Sequence, residues 1–237
     1  APLMDRASPL RTTHLRDPFG PPILFGSESF IDEMAAATNT DPIDFRLQYL
    51  KHPRDQDAVR IAGEHFGWQK RPSPSSDQKD SDVAIGRGIA FRRHFDTFIA
   101  LIAEVRVHRG TGKLDLLRYV CAHDVGMIVN PGTLEHVIER QLVYGTSRTM
   151  FEEVRFDENM VTSVDWATYP VMHSDSIPEK IEIVLIKRPE AAPSGAAEMA
   201  LGLVPAAIGN AVFDATGVRL RRVPFTPERV KAALARA

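Results

Sequence analysis

Residues 191–213 contain a single charged side chain, Glu198. It follows Pro193-Ser-Gly195-Ala-Ala197 and precedes an alanine-rich apolar stretch from Val204. A carboxylate in apolar surroundings has its charged form destabilised, which raises its pKa. That makes a glutamate useful as a general base near neutral pH. The other reading is a solvent-facing glutamate in a loop, and the residues alone leave both open. Cys121 and His123 lie two apart on an alternating segment, so they face the same side of a strand. Two ligands do not make a zinc site, and a core cysteine beside a turn histidine is the plainer reading. Gly86-Arg-Gly88 lacks the third glycine of a dinucleotide fingerprint and opens a strand rather than a helix. The chain has no Walker A sequence, no H-E-x-x-H and no C-x-x-C. A serine–histidine–aspartate triad is not local in sequence, but no G-x-S-x-G elbow supports one.

The elements that would position such residues come from an ordinary globular composition. Of 237 residues, 43% are apolar and 25% charged, enough to bury a core without staples. The net charge is −2 with both signs interspersed, which argues against nucleic acid or an anionic membrane as partner. A single cysteine rules out an internal disulfide. No apolar run approaches the ~20 residues needed to span a bilayer, and no secretory pattern opens the sequence. Compartment, cytoplasmic or periplasmic, is left open. The first residue is Ala rather than Met, so the sequence reads as processed, trimmed or cut from something longer.

Residues 1–25 are proline-rich with little periodicity and read as extended, irregular chain. Ser27 is expected to cap a helix from Glu28 whose stripe is Phe30, Ile31, Met34 and Ala37 or Thr38. Asp41-Pro42 and Pro53 open two further helices, with Gly67 as a stop. Residues 69–82, QKRPSPSSDQKDSD, read as a polar linker or exposed loop. The period then changes from 3.6 to 2. Gly86–Phe95, a strand around Ile99–Val107 and Leu114–Ala122 form a sheet, the last two joined by the hairpin loop His108–Lys113. Asn130-Pro131 starts a long helix through about Phe151, where Gly145 allows a close approach. Arg155–Val164, Lys180–Lys187 and Val218–Val223 read as strands, Val204–Ala215 as a helix stopped by Gly217, and Thr226-Pro227 as the start of a last helix. The expected class is α+β: extended segment plus helical module over 1–68, linker or loop over 69–82, and a mixed α/β domain over 83–237.

Pro193–Val223, PSGAAEMALGLVPAAIGNAVFDATGVRLRRV, resembles the C-terminal signature of the molybdopterin-binding large subunits of the xanthine dehydrogenase/aldehyde oxidase family. There a glycine-rich loop carries a glutamate before an alanine-rich helix. LRDPFGPP (Leu15–Pro22) followed by SESFIDEMA resembles the family's arginine-glycine loop and the helix after it. DPIDFRLQYL, HDVGMIVNP (His123–Pro131) and VIERQLVYGTSRTMFEE resemble further family segments in the same order. The pattern is similar to that of the isoquinoline 1-oxidoreductase beta and nicotinate dehydrogenase type subunits.

The resemblance implies the fold of the molybdopterin-binding domain of aldehyde oxidase-type enzymes. It implies a molybdenum-molybdopterin cofactor, in a dinucleotide form, and hydroxylation of an N-heteroaromatic ring or oxidation of an aldehyde. By position Glu198 would take the proton from a molybdenum-bound hydroxide, while Arg16, Gln141, Gly145 and Gly195 would lie against the cofactor; no protein side chain would ligate the metal. Where the family has glutamine, glycine and Gln-Gly along the cofactor-facing helix, this chain has Val137, Arg140 and Tyr144-Gly145, and the loop's Gly-x-Gly-Glu reads Gly195-Ala-Ala-Glu198. Only the C-terminal part of such a subunit is matched. The remainder of the molybdenum subunit and a 2Fe-2S small subunit are the implied partners, and the isolated chain is expected to lack cofactor and to self-associate. A non-catalytic structural subunit is the alternative.

Overall fold

A computed structural model describes residues 15–75 and 81–236. The expected extended segment before Leu15 and residues 76–80 of the expected linker lie outside the described residues.

The centre is a four-stranded sheet of β1 (Val83–His94), β2 (Thr97–His108), β3 (Leu114–Asp124) and β4 (Lys180–Leu185), in that spatial order. The first three strands pair antiparallel, and β4 pairs parallel to β3 with Cys121 opposite Ile183. A parallel return needs a crossover; here it contains α4 (Pro131–Met150). Helix α5 (Val204–Thr216) lies on one face of the sheet and α3 (Pro53–Phe66) on the other. Strand β2 is therefore covered twice. Ile99, Leu101, Ala103 and Val105 pack with Ile208, Ala211 and Val212, whereas Phe98, Ala100 and Ile102 pack with Ala58, Val59, Ala62 and Phe66. Burial on both faces explains why the strand reads as one apolar run at its start. Gly88 lets α5 lie against β1, because a Cβ there would run into the α5 backbone at Ala207 and Ala211.

The caps fall as expected at three helices. Asp41 accepts from the amides of Ile43 and Asp44 at the start of α2 (Pro42–Tyr49), Asn130 from Thr133 in α4, and Thr226 from Arg229 in α6 (Pro227–Leu234). Gly67 and Gly217 end α3 and α5 in the left-handed conformation, both with φ 76°.

Helix α1 differs from its expectation. It spans Gly20–Ala37, so Ser27 is interior and residues 20–25 are not extended. Pro21 and Pro22 sit in its first turn, where the missing N–H groups have no helical partner to lose. Its orientation is also the reverse of its apolar stripe: Glu28 and Asp32 are buried, while Phe30 and Met34 are exposed. The buried acids have matched partners. Glu28 accepts from Arg46 Nε at 3.1 Å and Nη2 at 3.0 Å and from the Phe91 amide at 2.9 Å; Asp32 accepts from Arg219 at 2.7 Å. Turning α1 over would carry both acids to solvent and leave the buried Arg46 without its carboxylate partner, a larger penalty than exposing two apolar side chains.

Two expected strands do not form. Arg155–Val164 is an irregular arm with one isolated bridge between Phe156 and Val161, and Val218–Val223 runs without a strand partner among the described residues. A strand needs a neighbour as well as a pattern, and neither segment joins the sheet. Residues 69–75 carry no helix or strand, yet they are held to α5: Arg71 bonds both carboxylate oxygens of Asp214, Ser73 Oγ donates to the same group, and the Ser75 amide donates to the Asp214 carbonyl.

Candidate functional site

Glu198 lies in an irregular segment that crosses the end of the sheet before the short turn Leu201–Leu203 leads into α5. The hydrogen bonds at this segment reach distant parts of the chain. The Ser194 amide donates to the Val125 carbonyl at 2.8 Å, and Thr97 Oγ1 donates to the Gly195 carbonyl at 2.7 Å. Gln141, fully buried on α4, donates from Nε2 to the Ala196 carbonyl at 2.6 Å and accepts from the Ala200 amide at 2.9 Å. Arg92, at the end of β1, donates to the Met199 carbonyl at 3.2 Å.

The Glu198 carboxylate is half-buried and accepts from the Asp17 amide at 3.0 Å. Asp17 is itself buried, with φ 52°, a conformation non-glycine residues rarely adopt. Its carboxylate accepts from Arg92 at 2.6 and 3.2 Å and from the Gly20 amide at 3.1 Å. The arginine loop and the glutamate loop, 181 residues apart in sequence, thus meet at one hydrogen bond.

Arg16, next to Asp17, is exposed, and its carbonyl accepts from Arg148 Nη1 at 2.7 Å. It lines an open groove of about 870 Å³ together with Arg140, Tyr144, Glu152, Trp166 and Met172. A second groove, of about 330 Å³, is lined by Val125, Val137, Pro193, Ala196 and Ala197. Gly195 is exposed, with no atom within 4 Å of where a Cβ would stand. Gln141 and Gly145, the other expected cofactor contacts, are both engaged within the chain. Gln141 has both ends of its amide bonded within the chain. A Cβ on Gly145 would come within 2.7 Å of Val204 Cγ2 and 3.0 Å of the Leu201 carbonyl, so this glycine seats α4 on the turn before α5.

Cys121 and His123 do face one side of β3, both fully buried. Burial pushes the Cys121 thiol up to about 12 and the His123 imidazole down to about 3, so near neutral pH one is a thiol and the other a neutral ring. Neither His123 nitrogen has a hydrogen-bond partner among the described residues. Among those residues no group of three or more His, Cys, Asp and Glu is arranged to hold a metal ion. Sequence reasoning missed Asp17, Arg92 and Thr97. Asp17 adjoins a residue it did select, but nothing local marks Arg92 or Thr97, which act through partners about a hundred residues away.

The fold is that of the molybdopterin-binding region of aldehyde oxidoreductases. The crystal structure of the aldehyde oxidoreductase from Desulfovibrio desulfuricans superposes with a TM-score of 0.79 at 15% identity, covering 93% of this chain and 41% of that one. The family model described as the molybdopterin cofactor-binding domain matches residues 56–178, and the chain belongs to that family. It is 38% identical to a nicotinate dehydrogenase subunit of Pseudomonas putida over 95% of this chain and 20% of that protein. It is 30% identical to the isoquinoline 1-oxidoreductase beta subunit of Brevundimonas diminuta over 86% of this chain and 25% of that protein. The chain thus spans a fifth to a quarter of the length of these relatives. Glu198 and Arg16 lie outside the span of the family match.

Proposed function

We propose that this chain is part of a molybdenum hydroxylase acting on an N-heteroaromatic ring or an aldehyde, and that Glu198 is its general base. The observation that carries this reading is the Asp17–Glu198 hydrogen bond, which brings an isolated, half-buried glutamate to the arginine loop. The residues that suit one side of a molybdenum-pterin group flank Glu198 in two separate grooves, neither of which Glu198 itself lines. Gly195 leaves open space, Val137, Pro193, Ala196 and Ala197 offer an apolar wall, and the exposed Arg16 guanidinium suits the phosphates of a dinucleotide form. When bound, that group supplies the redox chemistry, accepting two electrons as a water-derived oxygen enters the substrate.

The chain's own part is then proton transfer and orientation. Glu198 Oε2 is held by the Asp17 amide, which leaves Oε1 without a hydrogen bond to the described residues, free to take the proton of the attacking oxygen. Full assembly requires the remainder of the molybdenum subunit and a 2Fe-2S small subunit, and the isolated chain holds no stoichiometric cofactor. In the assembled enzyme Glu198→Gln keeps the shape and removes the base. We expect kcat to fall ~10²–10⁴-fold, with folding and molybdenum content unchanged. Full activity in that variant would remove the assignment, and about one molybdenum per isolated chain on elemental analysis would contradict the shared site.

A second reading, a structural subunit without catalysis, is favoured by Val137 and Tyr144 at the helix positions where the family pattern has glutamine, and by Gln141 being turned inward. Native mass spectrometry of the complex distinguishes the two, because only a catalytic assembly carries the cofactor mass in contact with this chain.

A further inference from the structure

The segment around Glu198 is irregular, yet its backbone is held on both sides of the glutamate by side chains from two different elements. Gln141 bonds the carbonyl two residues before Glu198 and the amide two residues after it. A primary amide suits this task because it offers a donor and an acceptor on one planar group. Arg92 acts on the other side. One of its nitrogens bonds both the carbonyl of Met199, the residue after Glu198, and the Asp17 carboxylate, while a second nitrogen bonds the other carboxylate oxygen. Asp17 in turn presents its amide to Glu198. Arg92 therefore ties the loop that carries the glutamate to the loop that holds the glutamate's carboxylate. It is nearly buried, with 10% side-chain exposure against 3% for Asp17, so water competes little for the pair.

We propose that Arg92 and Gln141 are positioning residues for Glu198, setting the direction of its carboxylate without touching substrate or cofactor. This rests on the reading of Glu198 as the base. A misplacement of about 1 Å can cost ~10²-fold in rate, so the brace matters even though it takes no part in proton transfer.

The test uses the assembled enzyme purified with its native partners. Gln141→Glu keeps the side-chain shape and the acceptor for the Ala200 amide but replaces the donor that faces the Ala196 carbonyl. Arg92→Lys keeps the charge and loses the fork. Each is expected to lower kcat by roughly 10- to 100-fold, with KM within a few-fold and molybdenum content unchanged. Hydrogen exchange should speed up at the Ala200 amide in the first variant and at the Asp17 amide in the second. Introduced into a Glu198→Gln background, neither should lower kcat further, because residues acting as one unit are non-additive. Equal losses in both backgrounds would show a merely structural role and overturn the proposal. Unchanged kcat in both variants, with Glu198→Gln strongly impaired, would overturn the positioning role and leave the base standing. Full activity of Glu198→Gln would remove the base reading and the brace with it. Should one variant fail to fold, the other carries the same decision.

Discussion

Two irregular stretches of the molecule, the 194–200 segment and the arm from Arg155 to Thr168, look alike in secondary structure and differ in how they are held. Hydrogen bonds at the first join residues 55 to 181 apart and draw on β1, β2, α4 and the arginine loop. Those of the arm are local. Asp157 accepts from the Asn159 and Met160 amides, Asp165 from those of Ala167 and Thr168, and Arg155 pairs with Ser163 and Thr162. The first segment places one carboxylate. The second displays Phe156, Met160, Val164 and Trp166, the last 79% exposed. Irregular chain is thus not equivalent to loosely held chain: the first segment has long-range polar anchors, and the exposed apolar arm has only local ones among the described residues.

The strongest challenge to this contrast comes from Arg92→Ala. It leaves the Asp17 carboxylate buried without its cation and should cost about 3–5 kcal/mol. Urea unfolding of the chain measures it, and a loss below about 1 kcal/mol would show that the arginine loop is not anchored as described. Gln141→Leu comes next. It strands the Ala196 carbonyl and the Ala200 amide, for about 1–3 kcal/mol, and limited proteolysis should then begin within 194–200 rather than in the arm. Cutting in the arm first would erase the distinction.

Acid provides a third test. His123 lies on β3, two residues before the carbonyl that anchors Ser194. Its folded value, pushed down to about 3, is below the unfolded one, so it stays neutral in the fold while the unfolded chain takes up a proton. Its contribution is fully present above about pH 6.5 and is lost progressively as pH falls toward 3. At pH 5 the loss should be about 2 kcal/mol. His123→Leu should flatten that part of the stability–pH curve, and an unchanged slope would mean the ring is wetter than the fold implies. The weakest effect belongs to the arm. Trp166→Ser should change stability by no more than about 0.5 kcal/mol while reducing self-association of the isolated chain in sedimentation. A cost above about 1 kcal/mol would show the arm to be packed.

Elements whose signals are local are legible in the residues alone. Asp41, Asn130 and Thr226 cap the helices they are expected to cap, Gly67 and Gly217 end two others, and the Gly86–Phe95 and Ile99–Val107 segments pair as strands. Glu198 stands out as a lone charge in an apolar stretch. Its partner does not, because a backbone amide 181 residues away leaves no trace in local composition. Gln141 reads from the resemblance as a cofactor contact, and its hydrogen bonds to the Ala196 carbonyl and Ala200 amide leave no local signal in the sequence.

Capping, helix termination and periodicity depend on neighbours within a few residues, so most helix starts and the apolar strands are written in the chain itself. Features that depend on distant partners are settled only by packing. The apolar stripe of α1 faces outward because Arg46 and Arg219 lie where Glu28 and Asp32 can be paired. The Arg155–Val164 pattern forms no strand because it joins no edge of the sheet. Gly145 lets α4 approach Val204 and the Leu201 carbonyl closely. Each outcome balances desolvation against pairing, and that balance is set only when distant segments meet.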